Sequence, residues 1–498
     1  MNRFLLLIAM TVAVTGSLNP LAAQTPVEKS KGSEQVSDGI LNVRAFGAVG
    51  DGKTDDTAAL RHALQAAEKM GGNTVFVPAG IFVITDKLSI GDNCTLEGVG
   101  GGSVIKSGFP TKTYVKGAGH DGAFTMLSVT GKKNVRIANL VFDANQADTH
   151  AIRTTGKGTS PLIIENNRFI NLSRTTADHV AFSIAINVVG ARTITRNNYC
   201  DGASSDSFNY NEGWHLVSDN IITDGEDGGI AFNNGAHGTI SGNWIFNCDL
   251  GIGMGHPGTE KASEINSTAI IGNTIEQCMK GINMGWFAYE GLGAPRNWTI
   301  SGNNFKFNAC GDICYDGPHE DFAANGAITG NTSVGAGSPK HDNWRHTQRQ
   351  AKPKAYFVAL NQCDNVTVTG NTIVAPEADG DLLSFNNDKN IIIANNLIQT
   401  DRKNLSLTTI HLGQCSNVTV SGNRVMGPVE FFISAQSAIG LRSLHVNDNV
   451  AENCRKNAIR IDGALQGSAI LDNRFAGGGK AIECSTMEST TVRPIGEK

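Results

Sequence analysis

Carboxylates recur at similar offsets, six to eight residues past a recurring Asn, through a run of short repeats between residues 198 and 280. Counted from a recurring Asn, Asp206 lies eight residues past Asn198, and Glu226 and Asp227 lie six and seven past Asn220. Asp249 lies six past Asn243, and Lys280 seven past Asn273. If the repeats stack, like charges on neighbouring repeats approach closely and push their proton affinities apart unless a cation intervenes. Separated affinities are what a general acid and a general base require, and a carboxylate cluster is also a ligand set suited to calcium. The strands that follow read GIAFNN from Gly229, GIGMGH from Gly251, GINMGW from Gly281 and DICYDG from Asp312. Alternation sends Ile230, Phe232, Ile252, Met254, Ile282, Met284, Ile313 and Tyr315 inward. The complementary set, Ala231, Asn233, Gly253, Gly255, Asn283, Gly285, Cys314 and Asp316, then makes a shallow outward floor open to a chain-like ligand. His256, Trp286 and Tyr289 stand at its rim, where an indole ring suits the apolar face of a sugar.

The elements that must position these groups are set by the repeat itself. An apolar strand closed by Asn recurs at Asn139, Asn167, Asn198, Asn220, Asn243, Asn273, Asn303, Asn331, Asn371, Asn396, Asn423, Asn449 and Asn473, in steps of 22 to 40 residues. Most steps fall in the twenties, which suits a solenoid whose coil is about three short strands. The expected fold is therefore all-β, a right-handed parallel β-helix of about 12–13 coils spaced by about 4.8 Å. In such a stack the Asn reads as structural: it tolerates a left-handed turn, and its amide bonds to the Asn above and below. Cys248 and Cys278 fall five residues after their Asn and should stack as buried thiols, because side chains on stacked coils point in parallel.

Composition excludes several classes. Net charge is −5 with no basic stripe, which argues against nucleic acid as a partner. Residues 1–23 combine Arg3, an apolar run from Phe4 and small residues ending at Ala23, the pattern of a secretory signal peptide. No later segment is apolar enough to span a membrane, so a secreted or periplasmic protein is expected. Residues 24–38 are a polar linker, and 39–498 form one β-helix domain with its cap and first coils in 39–105. A monomer and a homotrimer are both compatible with such a chain. In the cap, Thr54-Asp55-Asp56 precedes a helix to about Met70 with Leu60, Leu64, Ala67 and Met70 on one face, laid over the open end of the first coil. Asp51, Asp55 and Asp56 are read as turn and cap residues.

The stretches FGAVGDGKTDDTAAL, TVFVPAG and LEGVGGGSVI occur in the order that resembles the N-terminal segment of the pectate-lyase-like superfamily. The resemblance implies the β-helix and carries many activities with it. The positions of Asp206 and of the Glu226-Asp227 pair one coil later are similar to the NTD and DD motifs of polygalacturonase-type glycoside hydrolases. That similarity implies an inverting hydrolase, with one carboxyl protonating the leaving oxygen and another activating water. Ser205 and Ser207 flank Asp206 where the family has Thr and Gly; the family's His falls near Leu250 and its Arg-Lys motif near Asn283-Met284.

The chemistry expected is thus action on a polysaccharide or oligosaccharide. In the leading reading, a glycoside hydrolase, Asp227 is the general acid, Asp206 and Glu226 activate water, and no cofactor is needed. Asp249, His256, Lys280, Trp286, Tyr289 and Arg345 are expected to bind substrate. Arg345 sits in the loop SPKHDNWRHTQRQAKPKAY, whose length and positive charge suit an acidic glycan. A lyase or uronate epimerase is the first alternative, with Ca²⁺ held near Asp249 and Lys280 or Arg345 removing a proton. A non-catalytic glycan-binding or adhesion β-helix is the second.

Overall fold

Each coil of this chain hands its backbone hydrogen bonds to the coils on either side. The computed structural model describes residues 39–156, 158–255, 267–285, 295–316, 323–337, 356–374, 380–400, 406–436 and 441–493. Among them one sheet gathers 29 strands and a second 16. The pairings are parallel throughout the stack, as between Phe208–Ser218 and Gly228–Ser241 or between Trp244–Phe246 and Thr274–Glu276. The strands Ile184–Arg196, Phe208–Ser218 and Gly228–Ser241 run through two faces of a coil, bending at Gly190, Gly213 and Gly235, all at positive φ. The chain is a parallel β-helix, and its 16-stranded sheet implies more coils than the 12–13 expected. The additional ones come early: Asp51–Asp55, Gly80–Ile84 and Ser103–Ser107 belong to that sheet and precede the first Asn phrase.

The Asn ladder is continuous from Asn167 to Asn473. Asn273 shows its pattern: its N–H and Nδ2 both donate to Asn303 Oδ1 at 2.9 Å, and Nδ2 also donates to Ile240 O at 3.0 Å. Asn303 repeats the arrangement toward Asn331 and Ile270. The left-handed role falls to a different residue, the one before each ladder Asn: Asn166, Asn197, Asp219, Gly242, Gly272 and Gly302 all have φ between 55° and 66°. Asn139 is in that turn position (φ 57°), and it is Leu140 N that donates to Asn167 Oδ1 at 3.1 Å, so Asn139 is not a rung. Turn conformation and amide stacking are thus divided between two adjacent residues.

The cap helix spans Thr57–Lys69 and buries Leu60, Leu64 and Ala67 over the first coil, whereas Met70 is 51% exposed. Its acidic lead-in forms turns. Asp56 accepts from Val49 N and Gly50 N, Asp55 from Thr57 N, and Asp51 from Lys53 N and Thr54 N. The core along the axis is Ile, Val, Leu and Phe with free buried thiols, Cys248 and Cys278 among them. Burial and then the neighbouring Cys248 hold the Cys278 thiol well above its ordinary proton affinity.

Replacing Asn303 with Ala strips the buried Asn273 amide and Ile270 carbonyl of partners at once, and the expected loss is about 3 kcal/mol of stability. The exposed neighbour Asn304→Ala should stay within about 0.5 kcal/mol of wild type. Paired denaturant melts check both values.

Candidate functional site

Strands at the centre of the stack carry the groups singled out from the sequence. The register runs Phe208, Ile230, Ile252, Ile282, Ile313 on successive coils. These side chains and Phe232, Met254, Met284 and Tyr315 are at most 1% exposed, as alternation requires. The opposite set does not form an open floor. Ala231, Asn233, Asn283 and Cys314 are 4%, 5%, 3% and 1% exposed, and Cys314 Sγ donates to Asn283 Oδ1 at 3.1 Å. Alternation assigns these side chains to the outward face, but it does not give their exposure, which is low.

Asp206 precedes the strand Phe208–Ser218 and is half-buried. Its Oδ1 accepts from Gly228 N at 3.2 Å on the next coil, and its Oδ2 accepts from Asn209 Nδ2 at 3.1 Å. A Cβ on residue 228 would sit 2.3 Å from Oδ1, so glycine is needed for the carboxylate to reach across. Asn209 Oδ1 in turn accepts from Asn211 Nδ2 at 2.6 Å and Asn233 Nδ2 at 3.3 Å. Asp227, also half-buried, is the residue before Gly228, and its carbonyl accepts from Leu250 N. Leu250 pairs with Gly228 and Lys280 with Leu250. Asp206, Asp227, Asp249 and Lys280 therefore occupy four successive coils within one residue of a common column. Asp249 is fully buried.

Glu226 stands differently from its neighbour. It is 3% exposed, and both carboxylate oxygens lie 3.1 Å from Thr175 N, so it fastens the segment leading to Ser183. His256, Trp286, Tyr289 and Arg345 lie outside the described residues. Among the described residues no three His, Cys, Asp or Glu side chains are grouped to hold a metal ion.

One polar cluster was not visible in the repeat pattern. Asp148, fully buried, accepts from Thr113 N, Tyr114 N, Phe182 N, Ser173 Oγ and His179 Nε2 at 2.9 to 3.0 Å. Burial raises its proton affinity, but the Phe182 and Tyr114 amides, Ser173 and His179 outweigh it and hold the carboxyl below the ordinary Asp value. Beside it His150 Nε2 and Arg153 Nη1 both contact His120 O, and Arg153 Nη2 donates to Asp121 at 2.7 Å. Burial first, then His120 and Arg153, depress the His150 proton affinity well below the usual imidazole value. Arg153 pairs with Asn187 and Asn187 with Asn209. The cluster is thereby continuous with the network at Asp206. Its parts come from excursions outside the Asn phrase, around residues 113–121 and 173–182, and only the density of His and Asp there could have signalled it.

A family model described as rhamnogalacturonase A/epimerase, pectate lyase-like, matches residues 40–283, and one described as a right handed beta helix region matches residues 345–494. Fold and match together define a right-handed parallel β-helix protein. Residues 40–283 belong to the pectate-lyase-like superfamily, and residues 345–494 continue as a right-handed β-helix region. It is 36% identical over 127 residues to alginate lyase 7 of Azotobacter vinelandii, covering 26% of this chain and 13% of that protein. It is 31% identical over 127 residues to the mannuronan C5-epimerase AlgE4 of the same organism, covering 26% and 20%. The pre-neck appendage protein of Bacillus phage B103 is 23% identical over 473 residues, 91% of this chain and 49% of the phage protein. The chain thus spans a fifth or less of those two Azotobacter relatives and about half of the phage relative. Among solved structures, an exopolygalacturonase from Thermotoga maritima aligns at 14% identity and TM-score 0.44, over 78% of this chain and 92% of its own. Bacteriophage phi29 gene product 12 aligns at 16% and 0.49, over 90% and 57%.

Two buried carboxyls near these strands give a pH signature. Burial pushes Asp312 up to about 7, against the bonds it accepts from Ser333 and Asn308. Burial likewise pushes Asp388 up to about 7, against the Cys363 amide. A carboxyl with a raised folded value stabilises the fold fully below its unfolded value of 3.8 and loses that contribution as pH rises to about 7. Stability should therefore fall across that window, and Asp312→Asn should flatten its share of the slope in melts recorded from pH 4 to pH 8.

Proposed function

We propose that the chain is an exported enzyme acting on a carbohydrate polymer, and that its chemistry is glycoside hydrolysis by Asp227 and Asp206. The observation that carries this reading is the placement of the two half-buried carboxylates on adjacent coils, with Asp206 aimed by the Gly228 N–H and the Asn209 amide. Asp206 is the base: it takes a proton from water as the water oxygen bonds to the anomeric carbon. The glycosidic carbon–oxygen bond breaks, and Asp227 gives its proton to the leaving oxygen. Glu226 holds the Thr175 segment against this site and is assigned a positioning role. Lys280 continues the column one coil beyond Asp249 and contacts the substrate chain, whereas Asp249, fully buried, is assigned a structural role.

One observation favours a second reading, proton abstraction beside a uronate carboxylate. It is the 36% and 31% identity to the alginate lyase and the mannuronan C5-epimerase. Lys280, in register with the carboxylate column, would then face the substrate carboxylate.

Purified protein should release reducing ends from one or more members of a panel of neutral and acidic glycans, without the ultraviolet absorbance of an unsaturated sugar. Asp227→Asn should lower the rate about a hundredfold or more while the fold is retained. Absorbance growing with the reducing ends would assign a lyase. A changed C5 configuration by NMR without chain cleavage would assign an epimerase. Binding with none of these would leave a glycan-binding β-helix.

A further inference from the structure

Three successive coils set Arg192, Trp214 and His237 side by side, Arg192 paired in register with Trp214 and Trp214 with His237. With Ser160, Gly190 and Gly213 they line a surface cleft of about 660 Å³. The cleft follows from the local backbone. Pairing between Phe208–Ser218 and Gly228–Ser241 shifts register between Asn211 and Gly213, so the sheet bends there. Residue 213 has φ 92°, and a Cβ on it would lie 2.1 Å from Ala191 O, so this bend in the cleft lining requires glycine.

Trp214 is held facing outward. The next residue, His215, is buried and bonded at both ring nitrogens, to Thr193 Oγ1 at 2.8 Å and to Glu212 O at 2.7 Å. A strand anchored at 215 cannot turn 214 into the core, and the indole is left 43% exposed. Among the described residues Arg192 has no ion-pair partner, and its guanidinium fork is free to take a carboxylate in two parallel hydrogen bonds. An exposed indole beside an unpaired guanidinium matches a ring with an apolar face and an anionic edge.

We infer that this cleft is a second carbohydrate-binding site, separate from the Asp206 carboxylates, and that it takes an acidic sugar residue of a polyuronate. The choice of a glycan rests on the carbohydrate-polymer reading above; the preference for an anion rests on Arg192. Trp214 lies on the same coil as Asp206, eight residues further along. A polymer held at the cleft keeps its neighbouring segments at high effective concentration near the carboxylates.

Affinity electrophoresis of the full chain through gels containing polygalacturonate, alginate or a neutral cellulose derivative tests the site without requiring turnover. A polyuronate should retard the wild type, less so at high salt, and the neutral polymer should not. Trp214→Ala should weaken retardation by about tenfold, and Arg192→Gln, a change at an exposed side chain, should remove the salt-sensitive part. Asp206→Asn should keep its retardation whether or not the wild type proves to be a hydrolase. The inference is overturned if neither polyuronate retards the wild type, or if the neutral polymer does so equally. Full retardation of folded Trp214→Ala would also overturn it, as would loss of retardation in Asp206→Asn, which would place binding on the carboxylate face.

Discussion

The rest of this structure depends on one requirement, that the backbone leaving each coil at a sharp turn be satisfied by the next coil. The Asn ladder meets it. Each rung gives its N–H and amide to the following rung and its second amide hydrogen to a carbonyl of the preceding coil, as Asn243 does with Asn273 and Val217. Burial makes these bonds expensive to lose and fixes one relative rotation of successive coils. Every other column inherits its register from this one, including the inward Ile column and the outward column through Arg153, Asn187 and Asn209.

Register is also what turns scattered acids into a site. Asp206 reaches Gly228 only because the coils align and because residue 228 lacks a side chain. Asp227 and Asp249 follow as neighbours along the axis for the same reason. The excursions do a different job. The segments around 113–121 and 173–182 converge on Asp148, and Glu226 fastens Thr175, so the turns bordering the carboxylate column are pinned by buried charge rather than by strand pairing.

The architecture was legible from the sequence because one residue type at one place in each coil has a physical job that no other side chain does as well. The same signal misplaced Asn139, since a turn Asn and a rung Asn look alike one residue apart, and it undercounted the coils, because the first ones, within the 39–105 segment, carry no Asn phrase to count. Inward positions were readable from alternation. Exposure of the outward set was not, because alternation gives the face of a side chain and not its contacts with the next coil, such as that of Cys314 with Asn283. Asp206 and Asp227 could be found by counting from the ladder, whereas Trp214 and the Asp148 cluster could not, since their partners sit in a bulge and in excursions that follow no period.

The most direct measurement is a crystal structure of Asp206→Asn with an oligosaccharide chosen from the glycan panel. The account predicts a sugar chain running across the coils, with a glycosidic oxygen within hydrogen-bond reach of Asp227 and an ordered water between the anomeric carbon and residue 206. A ligand seated on the 16-stranded sheet, or one whose scissile bond lies away from both carboxylates, would contradict it.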